Sequence, residues 1–148
     1  KRASLMKKHL WRVFFNASVI LAGLFSPKGG SAKILSWVKK RRIEGIISEI
    51  VFQETIRNAE KIGWKKKDLE KELIMLFPRI LAAPAKEKVE IWRKIVVDSG
   101  DAHLLASATK DGCLFLVSLD KKHVLNLKGE IKQLKIVSPA ELIEISHR

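Results

Sequence analysis

The sequence predicts an α/β sandwich built on a mainly parallel sheet. Apolar, β-rich runs alternate with helical patterns along the chain. The run CLFLVS (113–118) is apolar almost throughout, as expected of a strand covered on both faces. A chain of 148 residues, 47% of them hydrophobic, suits one domain that buries roughly two-thirds of its unfolded surface.

The elements follow in order. Residues 1–10 read as a basic N-terminal extension to a single domain over 11–148. WRVFF (11–15) has the size and composition of a buried strand, and 17–25 is apolar and compatible with a helix. SPKGG (26–30) marks a loop, after which Ser31 caps a helix to about 42 with Ile34, Leu35 and Val38 on one face. Ile46 and Ile47 suggest a short strand. From Ser48 a helical stripe of Ile50, Val51, Ile56 and Ala59 runs to Gly63. Asp68 opens another helical pattern through Phe77, which Pro78 stops, and the stretch around Pro84 is a connection. Residues 89–97 read as a strand, 98–100 as a turn, and 101–112 as a helix that starts at Asp101 and ends at Gly112. A last strand spans 131–137, and Ser138 with Pro139 opens a final helix.

Charge supplies the first functional statement. Lys and Arg number 29 against 16 Asp and Glu, a net charge of +13, and eleven of the cations precede the first carboxylate, Glu44. So large an imbalance points to a polyanionic partner, with nucleic acid foremost and an acidic protein or anionic surface behind it. The single cysteine, Cys113, excludes an intramolecular disulfide and a Cys-rich zinc site, and its apolar setting marks a core thiol. The apolar run 13–25 falls short of a membrane span and leads into a turn rather than a cleavage pattern. A soluble, cytoplasmic protein with no membrane association is expected.

In an open parallel sheet, ligands gather beyond the carboxyl ends of the strands. Asn16 follows WRVFF, Asp120 follows CLFLVS, Asp101 opens the helix feeding that strand, and Glu54 lies on the helix after Ile46, with Glu49 as its substitute. Oxygen donors from four separate segments suit Mg²⁺ or Mn²⁺, and an acidic, cation-holding centre in a basic surface suits phosphodiester hydrolysis.

The segments RVFFNASVILAGLFSPKGGSAKIL, ISEIVFQETIRNAEKIG, DAHLLASATKDGCLFLVSLDKKHVLNLKG and KIVSPAELIE resemble PIN domains. The similarity is greatest to small prokaryotic PIN proteins of the toxin–antitoxin type. The most specific part is an acid, a helix with small residues, an apolar strand and then Ser-x-Asp-x-Lys-His. The resemblance implies a three-layer α/β/α sandwich and a metal-dependent endoribonuclease. Asn16, Glu54, Asp101 and Asp120 would be its catalytic and metal-binding positions, and an antitoxin or a second copy would be a further partner. At the first position the family carries Asp, and this chain carries Asn16. An amide can touch a cation but brings no charge, so the site is expected to be weakened. The alternative is a non-catalytic module that binds RNA or a partner.

Ser18 and Ser118 are expected to contact substrate, and Lys39, Lys40, Arg41 and Arg42 to hold phosphates, as are Lys65, Lys66 and Lys67. Asp98 reads as a structural turn residue. The four histidines form no metal pattern. SPKGGSAK lacks the Gly-Lys-Ser/Thr ending of a phosphate loop. Trp11, Trp37, Trp64 and Trp92 are dispersed, most as core anchors, with base stacking a lesser role.

Overall fold

In the computed structural model, which describes residues 10–94, 99–120 and 133–148, five strands form one sheet. They are β1 (Arg12–Phe15), β2 (Glu44–Ser48), β3 (Ile80–Leu81), β4 (Phe115–Val117) and β5 (Lys135–Val137). Their order is β3-β2-β1-β4-β5, and every pairing is parallel. The helices are α1 (Ala17–Phe25), α2 (Gly30–Lys39), α3 (Glu49–Arg57), α4 (Lys66–Leu76), α5 (Lys86–Arg93), α6 (Ala102–Lys110) and α7 (Pro139–Ser146). Short 3₁₀ turns cover Ala59–Ile62 and Ser99–Asp101. The chain winds outward from β1 to β3, then crosses back over β1 to β4. Right-handed crossovers therefore place α1 to α4 on one face of the sheet and α5 with α6 on the other. This is the α/β sandwich on a parallel sheet that the sequence predicts, in the three-layer form that the resemblance implies.

Burial explains the order. Val13, Phe14 and Phe15 of β1 are fully enclosed, as are Ile46 and Ile47 of β2 and Leu116 and Val117 of β4. Each such side chain contributes about 1.5–3 kcal/mol relative to its exposed state, so the most apolar strands take the middle. Phe15 meets Phe77 edge-on at 5.4 Å between ring centroids, and Trp11 meets Phe115 at 5.0 Å. At the amino ends of the strands, Asp111 joins Arg12 (2.5 Å) and Arg79 (2.6 Å), and Glu44 reaches both arginines at 3.4 and 3.9 Å. This ring ties β1, β2, the entry to β3 and the exit from α6 together.

Helix ends follow the sequence where a cap is present. Ser48 accepts from the Val51 N–H, and Ser138 with Glu141 forms a reciprocal capping box ahead of Pro139. Several expectations are corrected. Residues 89–93, read as strand, belong to α5. Val89 and Trp92 share its inner side, and Glu90 pairs with Arg93 one turn on. The sequence reading of a connection near Pro84 missed β3, which is too short to show a period. Helix α2 begins at Gly30 after an N-cap at Gly29 and ends at Lys39, so Ser31 does not cap it. The final strand begins at Lys135 among the described residues. The N-terminal extension, Asp98, His123 and the start of the expected last strand lie outside them. No described helix is long and apolar enough to cross a membrane.

Two predictions follow from the packing. A Cβ on Gly45 would stand 2.8 Å from Phe77 Cε1 and 2.9 Å from both Val38 methyl groups. Gly45→Ala should therefore lower the urea-unfolding free energy by about 1–3 kcal/mol. The Cys113 thiol is pushed up to about 12 by burial, with Asp111 adding to the effect. At pH 8 it should stay protonated and inert to a disulfide reagent until denaturant is added.

Candidate functional site

The winding direction reverses between β1 and β4, and the crevice outside their carboxyl ends is the expected ligand position in such a sheet. Asn16 directly follows β1 and Ser118 directly follows β4, so the two face each other across that switch point. The Asn16 amide nitrogen donates to Ser118 Oγ at 2.9 Å. Its oxygen accepts from the Ala17 N–H at 2.8 Å and so caps α1. The backbone donor fixes the amide's orientation, because only the oxygen can accept from it. Ser118 Oγ also accepts from the Asp120 N–H at 3.0 Å, and Ser18 Oγ accepts from the Leu119 N–H at 3.2 Å. The loop after β4 is thereby stitched to the start of α1.

A cleft of about 450 Å³ opens above this seam. Asn16, Ser18, Glu54, Asn58, Asp101, His103 and Asp120 all line it. The structure thus brings Asn16, Glu54, Asp101 and Asp120 from four segments to one opening. Asp101 sits in the 3₁₀ turn before α6, and its side chain makes no capping bond to that helix. Glu54 is half-buried on α3, whose buried residues Val51, Thr55 and Ile56 anchor it. Ser118 lies beneath the cleft, fully enclosed, so its role is to hold Asn16 and the Asp120 loop rather than to touch a ligand. Glu49 lines a different cavity with Phe52, Gln53, Ile74 and Ile80, which removes it as a substitute for Glu54.

Three carboxylates and an amide are hard oxygen donors of the kind that Mg²⁺ and Mn²⁺ prefer. Among the described residues, however, no three His, Cys, Asp or Glu side chains lie close enough together to hold a metal ion. The donors are therefore of the right chemical class but are spread around the cleft wall. His103, which the sequence reading set aside, also faces the cleft. Burial lowers its pKa, so the imidazole is neutral at pH 7, and its Nδ1 has no hydrogen-bond partner. Its place one turn into α6, after Asp101, was the only sequence signal for it.

The basic run behaves differently from expectation. Lys39, Lys40, Arg41 and Arg42 precede β2 and therefore lie at the amino ends of the strands, opposite the cleft. None of the four lines the cleft. Arg41 is committed to structure: its guanidinium donates to the carbonyls of Val38, Met75 and Leu76. Those bonds place the end of α4 beside Arg41. The 11-residue helix is about 16 Å long, so its first turn stands well away from Arg41. Lys65, Lys66 and Lys67 stand exposed at that start.

Ser118→Ala would remove the acceptor shared by the Asn16 amide and the Asp120 N–H. A loss of about 1–3 kcal/mol in unfolding free energy is expected, measured by urea denaturation.

Comparison with known proteins agrees with this geometry. No curated protein matches the sequence. A family model of the PIN domain matches residues 12–122, a span that contains β1, the switch point and Asn16, Glu54, Asp101 and Asp120. With three-quarters of its length in that match, and with the parallel sheet and carboxyl-end cleft described above, the chain belongs to the PIN domain family.

Proposed function

We propose that this chain is a divalent-cation-dependent endoribonuclease whose cation site is weakened by Asn16. The observation that carries the reading is the shared cleft: Asn16, Glu54, Asp101 and Asp120 line one opening at the sheet's switch point in a strongly basic PIN domain. Glu54, Asp101 and Asp120, spread around the cleft wall, are the carboxylates on which such a cation would draw, with the Asn16 oxygen a weaker contact. When bound, Mg²⁺ or Mn²⁺ would neutralise phosphate charge and lower the pKa of water in the cleft.

The chain's own residues supply position and exclusion. The Asn16–Ser118 contact fixes the floor of the cleft. Leu21 and Leu104 give part of its wall an apolar lining, which strengthens electrostatic contacts made inside it. Lys65, Lys66 and Lys67 would take phosphates of the strand beyond the cleaved bond. Residues 11–148 act as one domain in this reading. An antitoxin or a second copy of the chain would cover the cleft in a cytoplasmic, toxin-type system.

A second reading, a non-catalytic RNA- or partner-binding module, is favoured by one specific observation. The Asn16 amide is occupied on both sides, by Ala17 and by Ser118, and the carboxylates are not gathered.

Asn16→Asp separates the two. Ser118 can serve the new carboxylate by turning its hydroxyl hydrogen toward it, because a hydroxyl both donates and accepts. The substitution should therefore fold, raise Mn²⁺-induced thermal stabilisation and bring or increase Mn²⁺-dependent RNA cleavage. Its metal-free form should melt slightly lower, since crowded carboxylates repel one another. Asn16→Asp combined with Asp101→Asn should lose the cleavage again. If neither the unaltered chain nor either variant cleaves RNA, the binding-module reading holds.

A further inference from the structure

Beyond the cleft, we infer a second nucleic-acid contact at the opposite end of the sheet, one that takes an unpaired base and its phosphate. A pocket of about 420 Å³ opens there among Trp11, Trp37, Arg42, Ile43 and His147, with Leu10 at its edge. It lies where the C-terminal ends of α2 and α7 meet the entries to β1 and β2. The proposed nuclease reading suggests RNA as the ligand, but the pocket's chemistry stands apart from that of the cleft.

Three features build it. The first is the way α2 ends. Arg41 adopts a left-handed conformation, φ 60°, that non-glycine residues seldom take. Its N–H bonds the Val38 carbonyl at 3.1 Å, and the Arg42 N–H bonds the Trp37 carbonyl at 2.8 Å. This is a Schellman ending, and it characteristically sets the last residue beside the one it bonds. Here those residues are Arg42 and Trp37, both of which line the pocket. The strain at Arg41 is offset by its three guanidinium bonds to carbonyls. The second feature is aromatic. Trp37 and Trp11 are each half-buried, and Trp11 is braced by Phe115. Such rings offer fixed stacking surface to a base.

The third feature is charge. Arg42 is exposed, and no hydrogen bond or ion pair engages its guanidinium among the described residues. The nearest acid in sequence, Glu44, is already paired with Arg12 and Arg79. Lys39 and Lys40 partly answer the negative end of the α2 dipole, so Arg42 is the principal phosphate ligand. A cation beside accessible tryptophan, with no Asp or Glu among the described residues that line the pocket, is complementary to single-stranded nucleic acid rather than to a duplex, whose bases are stacked away.

The test measures binding without divalent cation, so that cleavage does not enter. The unaltered chain, Arg42→Gln, Trp37→Leu and Trp37→Phe are titrated with a fluorescent oligouridylate of about ten nucleotides and with its abasic counterpart. Arg42→Gln, an exposed change that leaves the fold's bonds intact, should weaken oligouridylate binding severalfold and reduce the salt slope by about one. Trp37→Leu should weaken it by about fivefold or more, with most of the loss recovered in Trp37→Phe. The abasic strand should bind the unaltered chain more weakly and be indifferent to Trp37→Leu. Affinity and salt slope unchanged in both Arg42→Gln and Trp37→Leu would overturn the inference, as would equal binding of the abasic strand. An acidic protein as the true occupant would give that same unchanged result. Mn²⁺-induced stabilisation, measured on the same variants, reports on the cleft alone. Failure of one site is therefore distinguishable from failure of the other.

Discussion

The structure depends on the placement of one four-residue strand. RVFF pairs with β2 on one edge and β4 on the other, and three of its four side chains are wholly enclosed. A strand with no solvent-facing side is stable only where helices cover both faces of the sheet. That constraint forces the chain to wind outward to β3, return across β1 and continue through β4. The reversal creates the crevice. The cleft is thus a consequence of burying Phe14 and Phe15, and its polar residues are those that the chain can place just past the buried run.

The seam at that crevice shows how an amide differs from a carboxylate of the same shape. Asn16 donates to Ser118 and accepts from Ala17, so both ends of its side chain contribute to the fold. Ser118 in turn accepts from Asp120, and the three residues form one hydrogen-bonded unit with no net charge from Asn16. A carboxylate in its place could receive both donors and still present negative charge to the cleft. The fold would be retained, and the change would fall on cation affinity. Structure and chemistry are separable at this position, whereas at Ser118 they are not.

The two ends of the sheet have opposite character. The carboxyl ends carry acids from three segments, and Asn16 from a fourth, around a cleft. The amino ends carry the Arg12–Asp111–Arg79–Glu44 ring and, beside it, cations and tryptophan rings. The ring uses Glu44 and Asp111 to fasten strands together, which leaves neither of them to Arg42. Net charge alone does not convey this arrangement. An excess of +13 is spread over a molecule in which Glu44 and Asp111 are committed to ion pairs at one end of the sheet and Glu54, Asp101 and Asp120 line the cleft at the other.

The sequence alone determined the fold class, the central strands and most of the helices, because apolar runs and caps report burial and local hydrogen bonding directly. Ser48, Ser138 and Pro139 mark helix starts by their own chemistry. Asn16, Glu54, Asp101 and Asp120 were legible as candidates because the rule that ligands sit past strand ends needs only the order of elements. Where periodicity was short or mixed the sequence was silent or misleading. β3 is two residues long, and α5 has apolar residues that suit either a strand or a helix until Val89 and Trp92 find the core. Sequence also could not show that Lys39, Lys40, Arg41 and Arg42 lie away from the cleft, nor that Arg41 is tied to α4 while Arg42 reaches a pocket. Those facts depend on which end of the sheet a loop occupies and on partners about 35 residues away in the chain. Only tertiary packing decides such placements, because a side chain's charge is local, whereas what it faces is set by the winding of the whole domain.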